Sequence, residues 1–560
     1  MMSATLRPGL LMALAVAFAA SSTLADTVYV NSYSAFVSAV QNAPVTGRTV
    51  VLAAGTYNLS GSFWIYDKPN LTIQGATGNP SDVVIVGLGI NNASQHHNIA
   101  IDTCPNFTIE NVTLKNSYYH GLSVNDASHN CVIRNCILWD NGESGVKATH
   151  AYGNASARYS DYGIVENCRI GFTTTGMRSV VEGVDLIATK GWIIRNNVFI
   201  NVTKATESVA YGCFPKGNAQ DSIIENNYFL NCDIAASFGG GGTGSSFFRD
   251  NDPTYEHRNG IIRNNIMVGS KDAAVYLNKS LNAKVHNNLA YKCVLTFQAR
   301  FAQTSATFRN NIAVRSPSNP SEPVVRWRDG AVDLGSGPNV AGLDSWFVAP
   351  AVSETADFHL LATAVGPIDT GYMLPLDVPV DRDGVARPQG ASWDLGPYEY
   401  MAPNQQPAVN AGPDVTAVYE GRPVALHAAG SDPDPGDTLS YLWTQTAGKA
   451  VSLSGADTAD VSFTAPALTS KAESLLTLQV QVSDGNGGQA SDSVSVQVYM
   501  KGDATRDHKV NVFDLQRLSA SWNKNQGQAG YDAACDFTGD NKVNVFDLQA
   551  MGVNWNKTLP

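Results

Sequence analysis

Charge, cysteine and long apolar runs are all scarce in this 560-residue sequence. Charged residues make up 15% of it and the formal net charge is −12, which argues against a nucleic-acid partner. No stretch after the first 25 residues is apolar enough to cross a membrane, so we expect no membrane span. The eight cysteines are few for this length. We expect them to be small apolar residues of a core, and a Cys136–Cys168 disulfide stays open.

Glycine, by contrast, is abundant at 49 residues, which is typical of a protein rich in strands and turns. The chain is too long for one core, so three or four units are expected. Residues 1–25 have the pattern of a secretory signal peptide: Arg7, an apolar stretch from Leu10 to Ala20, and the small-residue site Thr23-Leu24-Ala25. The sequence therefore predicts an exported, extracellular protein.

A short repeat organises the first half of the chain. Each copy has an apolar residue, a polar residue, an asparagine and then an alternating apolar segment. The aligned asparagines are Asn111, Asn135, Asn167, Asn196, Asn226, Asn264, Asn287 and Asn310. The shortest spacing, 23 residues, is the length of one coil of a parallel β-solenoid, and asparagine suits a left-handed turn. The longest spacings lie between Asn135 and Asn264, so we expect loops there to form the binding face.

The two ends of this region have their own patterns. Residues 34–40 have helical spacing and are predicted to cap the solenoid. The segments Thr49-Val50-Val51-Leu52 and Leu71-Thr72-Ile73-Gln74-Gly75 resemble the opening coils of right-handed parallel β-helix proteins of the pectate-lyase type. The segment Asp394-Leu395-Gly396-Pro397-Tyr398-Glu399-Tyr400 is similar to the closing part of secreted β-helix proteins. The resemblance implies an all-β right-handed parallel β-helix over residues 26–400 and a carbohydrate-active protein.

A polar linker at residues 401–407 precedes a region of different texture. Residues 408–499 contain short alternating strands, and the segments 431–437, 441–445 and 483–488 resemble a PKD-type β-sandwich with Trp443 as its buried aromatic. Such a domain is expected to act as a spacer or to lie close to the carbohydrate. Asp432, Asp434 and Asp437 suit either a calcium ion or ordinary turn chemistry.

Residues 500–560 contain two matching acidic loops, each followed by an apolar helix. Oxygen ligands at loop positions 1, 3, 5, 7, 9 and 12 are what Ca²⁺ needs. The predicted ligands are Asp503, Thr505, Asp507, Lys509 (through its carbonyl), Asn511 and Asp514 in the first loop, and Asp536, Thr538, Asp540, Lys542 (through its carbonyl), Asn544 and Asp547 in the second. The pair resembles a type I dockerin, which implies two calcium ions and a cohesin-type protein partner. The glycine expected at position 6 is replaced by His508 and Asn541.

The strands that follow the long loops supply the candidate site. Aligning their apolar positions places Lys147, Asp185 and Lys216 on one outward face, one coil apart. Lys216, partly desolvated and beside other cations, is predicted to have a lowered pKa and to be the base. The other candidate catalytic residues are Asp185, Lys147, Glu256, Arg258 and Arg249. The candidate substrate-binding residues are Tyr276, Asn278, Arg300, Tyr255 and Glu182.

A cleft lined by lysine, arginine, carboxylates and aromatic rings suits an acidic sugar chain. The first hypothesis is therefore a secreted polysaccharide lyase that cleaves a uronate-containing polysaccharide by β-elimination. The second is a glycoside hydrolase that uses Asp185, Glu182 or Glu256, because the same fold carries both chemistries. The third is a non-catalytic glycan-binding or scaffold protein. Whether the cleft holds a calcium ion of its own is left open.

Overall fold

The computed structural model describes residues 26–150, 158–178, 180–205, 209–434 and 437–560. The predicted signal peptide lies outside these ranges. The chain divides into two compact units, with the boundary between Met401 and Ala402. No helix in the described ranges is long and apolar enough to cross a membrane.

The first unit is a parallel β-helix built from three long sheets. Within the described ranges, sheet A has 12 strands, sheet B has 11 and sheet C has 10. Sheet A comprises Asp26–Val30, Arg48–Leu52, Leu71–Gly75, Thr108–Glu110, Val132–Arg134, Ile164–Glu166, Ile193–Arg195, Ile223–Glu225, Ile261–Arg263, Ala283–His286, Ser305–Arg309 and Val332–Asp333. Sheet B comprises Gly55–Asn58, Val83–Val86, Thr113–Lys115, Ile137–Trp139, Arg169–Gly171, Val198–Ile200, Tyr228–Leu230, Ile266–Val268, Leu289–Tyr291, Asn311–Val314 and Asn339–Ala341.

Sheet C carries the candidate site. Its strands are Phe63–Tyr66, His97–Asp102, His120–Asn125, Ser144–Ala148, Glu182–Ile187, Tyr211–Lys216, Ile234–Phe238, Ala273–Asn278, Leu295–Arg300 and Val325–Arg328. A small parallel sheet of Ala219–Gln220, His257–Arg258 and Ser280–Leu281 extends the middle coils. Each strand of sheets A, B and C pairs in parallel with the equivalent strand of the next coil, which confirms the β-helix predicted from the repeat.

The turn asparagines behave as predicted. All eight have positive φ values, between 47° for Asn135 and 60° for Asn111. The residue that follows the turn asparagine forms a longer ladder, which the repeat pattern does not predict. Five side-chain hydrogen bonds, with Nδ2–Oδ1 distances of 2.8–3.1 Å, join six asparagines in series: Asn197, Asn227, Asn265, Asn288, Asn311 and Asn339. This buried amide ladder pins the register of the later coils.

The core of the first unit runs along the inside of the coils. It is built from in-facing valine, leucine, isoleucine and phenylalanine side chains, and the phenyl rings of Phe199 and Phe229 stack at 4.6 Å. The helix Tyr33–Gln41 begins at the N-cap Ser32 and covers the first coil. Phe36 on this helix packs edge-on against Tyr57 and Phe63. The predicted cap is therefore confirmed.

The last part of the first unit is less regular. It contains the antiparallel pair Phe347–Ala349 and Asp357–Leu360 and packs a second apolar cluster against the outside of sheet B. The eight cysteines are buried free thiols, which agrees with their predicted role as core residues.

The second unit combines a β-sandwich with a helical module. Its strands are Ala408–Asn410, Val415–Tyr419, Pro423–His427, Ala429–Ser431, Ser440–Ala447, Asp460–Thr464, Leu475–Ser483 and Gln489–Tyr499. Trp443 is buried in the sandwich, as predicted. The helices Val512–Ala520 and Val545–Val553 follow, each with an asparagine N-cap and a reciprocal capping box, and the short strands Lys524–Asn525 and Lys542–Val543 pair between them.

Candidate functional site

The outward side chains of sheet C form rows that cross the coils. Lys147 lies opposite Asp185 on the neighbouring strand, as the alignment predicts. Asp185 in turn lies opposite Phe214, while Lys216 lies opposite Ile187. The register of the three strands is therefore the one that the alignment predicts. Lys216 keeps the outward face but sits two residues further along its strand.

Lys147, Asp185 and Lys216 nevertheless meet. The ammonium of Lys147 forms an ion pair with Asp185 Oδ2, and Lys216 Nζ lies 3.5 Å from Asp185 Oδ1. Glu182 and Glu143 are close enough to influence Lys147 electrostatically. We call these five residues the charged cluster. The sequence prediction missed Glu143, whose carbonyl accepts a hydrogen bond from the Glu182 N–H at 2.6 Å.

Burial dominates the electrostatics of the charged cluster. It raises the pKa of Glu182 to about 8, with the nearby charge of Asp185 as the second cause. Burial also raises the pKa of Glu143. For Lys147, burial favours the neutral amine, but the attraction of Asp185 and their hydrogen bond outweigh it, so the pKa is raised. Glu182 is thus a protonated acid near neutral pH, and Lys147 stays an ammonium ion.

The charged cluster is not the open trough that the sequence predicts. Asp185 is 1% exposed and Lys216 is 7% exposed. The Lys216 ammonium lies 4.1 Å from the centre of the Phe214 ring, and it shares the carboxylate of Asp185 with the ammonium of Lys147. Lys216 is thus desolvated beside Lys147, and the expectation of an open trough at the charged cluster is corrected. The glycine-containing segment after Phe238 packs beside this cluster, with Gly240 against Phe214 and Thr243 near Gly217.

The remaining predicted loop residues make hydrogen bonds and ion pairs with neighbouring coils. Glu256 accepts a hydrogen bond from the Gly217 N–H at 3.0 Å. Arg249 pairs with Asp161, donates to the Ala188 carbonyl at 2.9 Å and lies over the Tyr159 ring.

Arg258 is held in a similar way. It pairs with Asp252, donates to Asn218 at 2.7 Å and lies over the ring of Tyr255. These four predicted residues, Glu256, Arg249, Arg258 and Tyr255, thus make contacts that hold the loops in place.

An open pocket lies further along sheet C. The sheet-C pocket, as we call it, has a volume of about 360 Å³, and its polar and aromatic lining includes Tyr211, Asp272, Tyr276, Asn278, Arg300 and Arg328. It brings together three of the predicted substrate-binding residues: Tyr276, Asn278 and Arg300. The other two, Tyr255 and Glu182, are not in its lining.

The sheet-C pocket has a defined charge pattern. Arg300 donates a hydrogen bond to Asp329 at 2.5 Å, and this bond is the main cause that raises the pKa of Arg300, with Tyr276 as the second. Arg328 donates to Gln298 at 3.4 Å. Burial raises the pKa of Asp272, and Arg328 opposes this shift. Two guanidinium groups therefore line a space that also holds the carboxyl group of Asp272.

Aromatic stacking connects the pocket to the charged cluster. The ring of Tyr211 lies parallel to that of Phe214 at 4.3 Å, and Lys216 lies over Phe214. Burial raises the pKa of Tyr211, so its hydroxyl stays protonated. Gly240 touches Phe214 as well, and its carbonyl accepts a hydrogen bond from Asn278 at 2.5 Å. Phe214 therefore separates Lys216 from the pocket.

The sequence prediction missed Tyr211, Asp272 and Arg328. Tyr211 and Asp272 stand at or just before the start of their strands, where a search for alternation gives no signal. Arg328 lies in the last strand of sheet C, where the repeat becomes weak. Arg328 lies opposite Arg300 on the neighbouring strand. An alignment of the strands that continued to residue 328 would therefore have placed the two arginines side by side.

An exposed aromatic pair lies at the other end of sheet C. The rings of Trp64 and Tyr66 stack at 5.6 Å and 7°, and they are 39% and 53% exposed. The adjacent His97 packs edge-on against Trp64, and burial lowers its pKa to about 4, so it is neutral. This pair was not predicted either, although alternation does put both rings on one face.

The two acidic loops of the second unit have the geometry of cation sites. Ligand oxygens of Asp503, Asp507 and Asp514 lie within 4.8 Å of one another, and so do those of Asp536, Asp540 and Asp547. Burial raises the pKa of Asp503 to about 6, and the charges of Asp514 and Asp507 add to this shift. Buried carboxylates that repel one another in this way fit a bound divalent cation.

The other predicted loop ligands have backbone and side-chain roles. Thr505 donates to Asp514, Thr538 donates to Asp547, and Asn511 and Asn544 cap the two helices. The N–H groups of Lys509 and Lys542 bond to Asp507 and Asp540. Within the described ranges, the only other grouped acidic ligands are Asp432, Asp437 and Asp484, so no such group supports a calcium ion in the β-helix cleft.

Comparisons with known proteins agree with this organisation. Residues 411–498 match a family of PKD domains, and residues 501–552 match the family described as dockerin type I domain. The chain carries a PKD-like domain and a type I dockerin domain. The predicted recognition of both modules is thereby confirmed.

Solved structures similar to the chain include other β-helix proteins. The alginate lyase from Paenibacillus sp. str. FPU-7 is 15% identical, with 55% of this chain and 99% of that chain covered and a TM-score of 0.35. Pectate lyase Pel9A is 14% identical, covering 68% and 98% with a TM-score of 0.40. The mannuronan C-5 epimerase AlgE4 A-module of Azotobacter vinelandii is 12% identical, covering 57% and 95% with a TM-score of 0.33. A search of curated proteins finds no match. The parallel sheet order, rather than these distant similarities, establishes the β-helix.

Proposed function

We propose that the β-helix binds an acidic polysaccharide in the sheet-C pocket. The observation that carries this proposal is the pocket's lining, in which Arg300 and Arg328 lie beside the rings of Tyr211 and Tyr276. Guanidinium groups recognise carboxylates through paired hydrogen bonds, and aromatic rings pack against the C–H faces of sugars. A uronate-containing chain offers both features.

The proposed reaction is cleavage by β-elimination. In this reaction the proton beside the sugar carboxylate is removed, its electron pair forms a carbon–carbon double bond, and the bond to the leaving oxygen breaks. Arg300 and Arg328 would hold the carboxylate and stabilise the charge that develops on it. The leaving oxygen needs a proton, and the Tyr211 hydroxyl, whose pKa is raised by burial, can supply it.

The base is proposed to be Tyr276. Tyr276 lies in the pocket lining beside Arg300, close to where the two guanidinium groups would hold the sugar carboxylate. Lys216, the base proposed from the sequence, is separated from the pocket by the ring of Phe214. In this revised proposal Lys216, Lys147 and Asp185 support the strand beside the pocket.

Incubation of the protein with alginate, pectate and glycosaminoglycans tests the proposal. New ultraviolet absorbance from an unsaturated product, lost in Arg328→Ala and Tyr276→Phe, is the expected result. Arg169→Ala is the matched control, because Arg169 is a partly exposed sheet-B arginine paired with a carboxylate, as Arg300 is in the pocket. Absorbance that survives Tyr276→Phe would remove the base assignment. Absorbance that survives Lys216→Ala is expected here, and its loss would return the base role to Lys216.

A glycoside hydrolase is the second candidate function. The specific observation that favours it is the pKa of Glu182, raised to about 8 beside Asp185, since a protonated carboxyl group paired with a carboxylate is the arrangement of such enzymes. Reducing ends without ultraviolet absorbance, abolished by Glu182→Gln, would select this candidate. Retained binding without either product would select the non-catalytic glycan-binding candidate.

We also propose that the chain acts outside the cell and docks to a cohesin-type protein through its dockerin domain. The match of residues 501–552 and the paired acidic loops support this proposal. Calcium-dependent binding of a purified cohesin to the chain is the direct measurement, and binding that persists in excess chelator would contradict it.

A further inference from the structure

The dockerin domain is continuous with the PKD-like domain. The last PKD strand ends at Tyr499, and the first predicted calcium ligand, Asp503, follows four residues later. One apolar cluster spans both domains, with Val496, Val498 and Met500 on one side and Val510 and Met551 on the other. The two domains therefore share a core within the second unit.

The first acidic loop depends on a backbone geometry that its residues do not favour. Arg506 and His508, at loop positions 4 and 6, have φ values of 64° and 66°. The equivalent residues of the second loop are Gly539 and Asn541, which adopt positive φ more easily. A non-glycine residue in this region is strained unless its surroundings hold it.

A tyrosine of the PKD-like domain holds both residues. The ring of Tyr499 stacks on His508 at 5.5 Å and 27°, and the Arg506 guanidinium lies 5.7 Å from its centre. The missing glycine in the first loop is thus matched by an aromatic support outside the loop. The dockerin pattern expects glycine at the position of His508, and the supporting Tyr499 ring lies outside the residues that this pattern covers.

The second loop is supported by two other PKD residues. The Tyr419 hydroxyl donates to the Ala534 carbonyl at 2.6 Å, and its ring packs edge-on against Phe537 at 5.0 Å. Arg422 donates to the carbonyl of Asp536, the first predicted ligand, at 3.3 Å. A Cβ at Gly539 would overlap the Arg422 guanidinium, so glycine is needed there for a second reason.

We propose that Tyr499, Tyr419 and Arg422 of the PKD-like domain are positioning residues for the two calcium loops. Tyr499 acts on the first loop, Arg422 acts on the second, and the Tyr419 hydroxyl reaches the Asp503 carbonyl at 3.4 Å as well as that of Ala534 and so joins the two loops. The PKD-like domain then helps to shape the calcium sites, which goes beyond the spacer or carbohydrate-proximal role that its sequence predicts. All three residues lie in the second unit, so their proposed role does not depend on what the β-helix binds.

Calorimetric titration of the full chain with Ca²⁺ tests the assignment for the first loop. The titration is run in an Asp540→Ala background, which removes a ligand of the second loop. Tyr499→Ala is expected to weaken calcium binding about tenfold, since the strain of two left-handed residues then opposes ordering of the loop. Tyr499→Phe keeps the ring and is expected to bind as the parent does. Unchanged affinity in Tyr499→Ala would overturn the proposal.

A compensating variant separates positioning from a general loss of folding. Arg506→Gly with His508→Asn relieves the strain within the loop, so it is expected to restore calcium affinity in the Tyr499→Ala chain to within about threefold of the parent. Failure to restore it would show that Tyr499 is needed only for folding and would overturn the proposal. In an Asp507→Ala background, Arg422→Ala is expected to weaken the second loop, and Tyr499→Ala is expected to leave it unchanged. The reverse pattern would contradict the assignment.

Discussion

The buried asparagines next to the turns carry much of the order of the β-helix. Asn265 accepts from the N–H and the Nδ2 of Asn227, and its own Nδ2 donates to Asn288 and to the Ile224 carbonyl. All of these groups are inaccessible to solvent. A residue here has neighbours on two coils, so one substitution leaves several polar groups without partners.

Asn265→Ala is predicted to lower the free energy of unfolding by roughly 3 kcal/mol, because each buried group left unpaired costs about 1–3 kcal/mol. Urea denaturation of the two chains is the measurement. Asn226→Gly is the matched control, since it keeps a left-handed turn and lies outside this ladder. Equal losses in both variants would contradict the role given to the ladder.

The titration of Glu182 makes the stability of the β-helix depend on pH. Burial raises the pKa of Glu182 from 4.5 to about 8, so the folded chain binds a proton that the unfolded chain has released. The free energy of unfolding contributed by Glu182 is therefore highest at low pH and falls as pH rises from about 4.5 to about 8. Above that window the loss is complete.

Glu182→Gln is predicted to reduce the change of the free energy of unfolding with pH. Denaturant unfolding at about pH 5 and at about pH 8 should show a smaller difference in the variant than in the parent chain, by a few kcal/mol. Glu354→Gln, at a partly exposed carboxylate that pairs with Arg169, is the control and should keep the parent slope. A parent chain whose stability rises over this range would contradict the sign.

At the scale of elements, the face of sheet C is shaped by what covers it. The segment after Phe238 places Gly239 and Gly240 against the sheet, while Gly241 and Gly242 have open space around them. A Cβ on Gly240 would lie 2.7 Å from the Phe214 ring. Phe214 must then shift, and with it the parallel ring of Tyr211 in the sheet-C pocket.

Gly240→Ala is accordingly predicted to weaken glycan binding in the sheet-C pocket about tenfold and to destabilise the fold by about 1–3 kcal/mol, the usual cost of overpacking. Gly241→Ala, one residue away in open space, should change neither quantity. Binding isotherms with an oligosaccharide of the preferred polymer measure the first effect. Equal behaviour of the two variants would show that Phe214 does not set the shape of the pocket.

Sheets are easier to predict than the site upon them. The asparagine spacing identifies coils because each coil must return to the same turn, and residues 109–313 follow this rule. Alternation assigns a side chain to a face of the sheet, and alignment of the apolar positions gives the register in which Lys216 lies opposite Ile187. The burial of Asp185 is not predicted, because no local pattern reveals which segments pack over a strand.

On the scale of the whole molecule, the candidate cation sites among the described residues lie in the second unit. Its two loops gather buried aspartates, and Asp503 has its pKa raised to about 6 by burial and by neighbouring carboxylates. A bound cation removes this repulsion and stabilises the folded form in proportion to its concentration. The three long sheets of the first unit have no grouped acidic ligands among the residues described.

Chelation of calcium is therefore predicted to lower the unfolding temperature of the second unit by several degrees and to leave that of the first unit unchanged. Differential scanning calorimetry with and without excess chelator resolves the two transitions. At a calcium concentration of about 100 times Kd, the stabilisation is about 2.7 kcal/mol per site. An identical trace in chelator would refute cation binding by the loops.

The buried cysteines have a further use. Seven of them are spread along the β-helix from Cys104 to Cys293, and each is sealed from water in the folded chain. A thiol-specific reagent can reach a given sulfur only when the surrounding coil opens, so the order in which the seven are labelled would record where the column starts to unwind. The natural sequence thus already contains a set of probes for mapping its own disassembly.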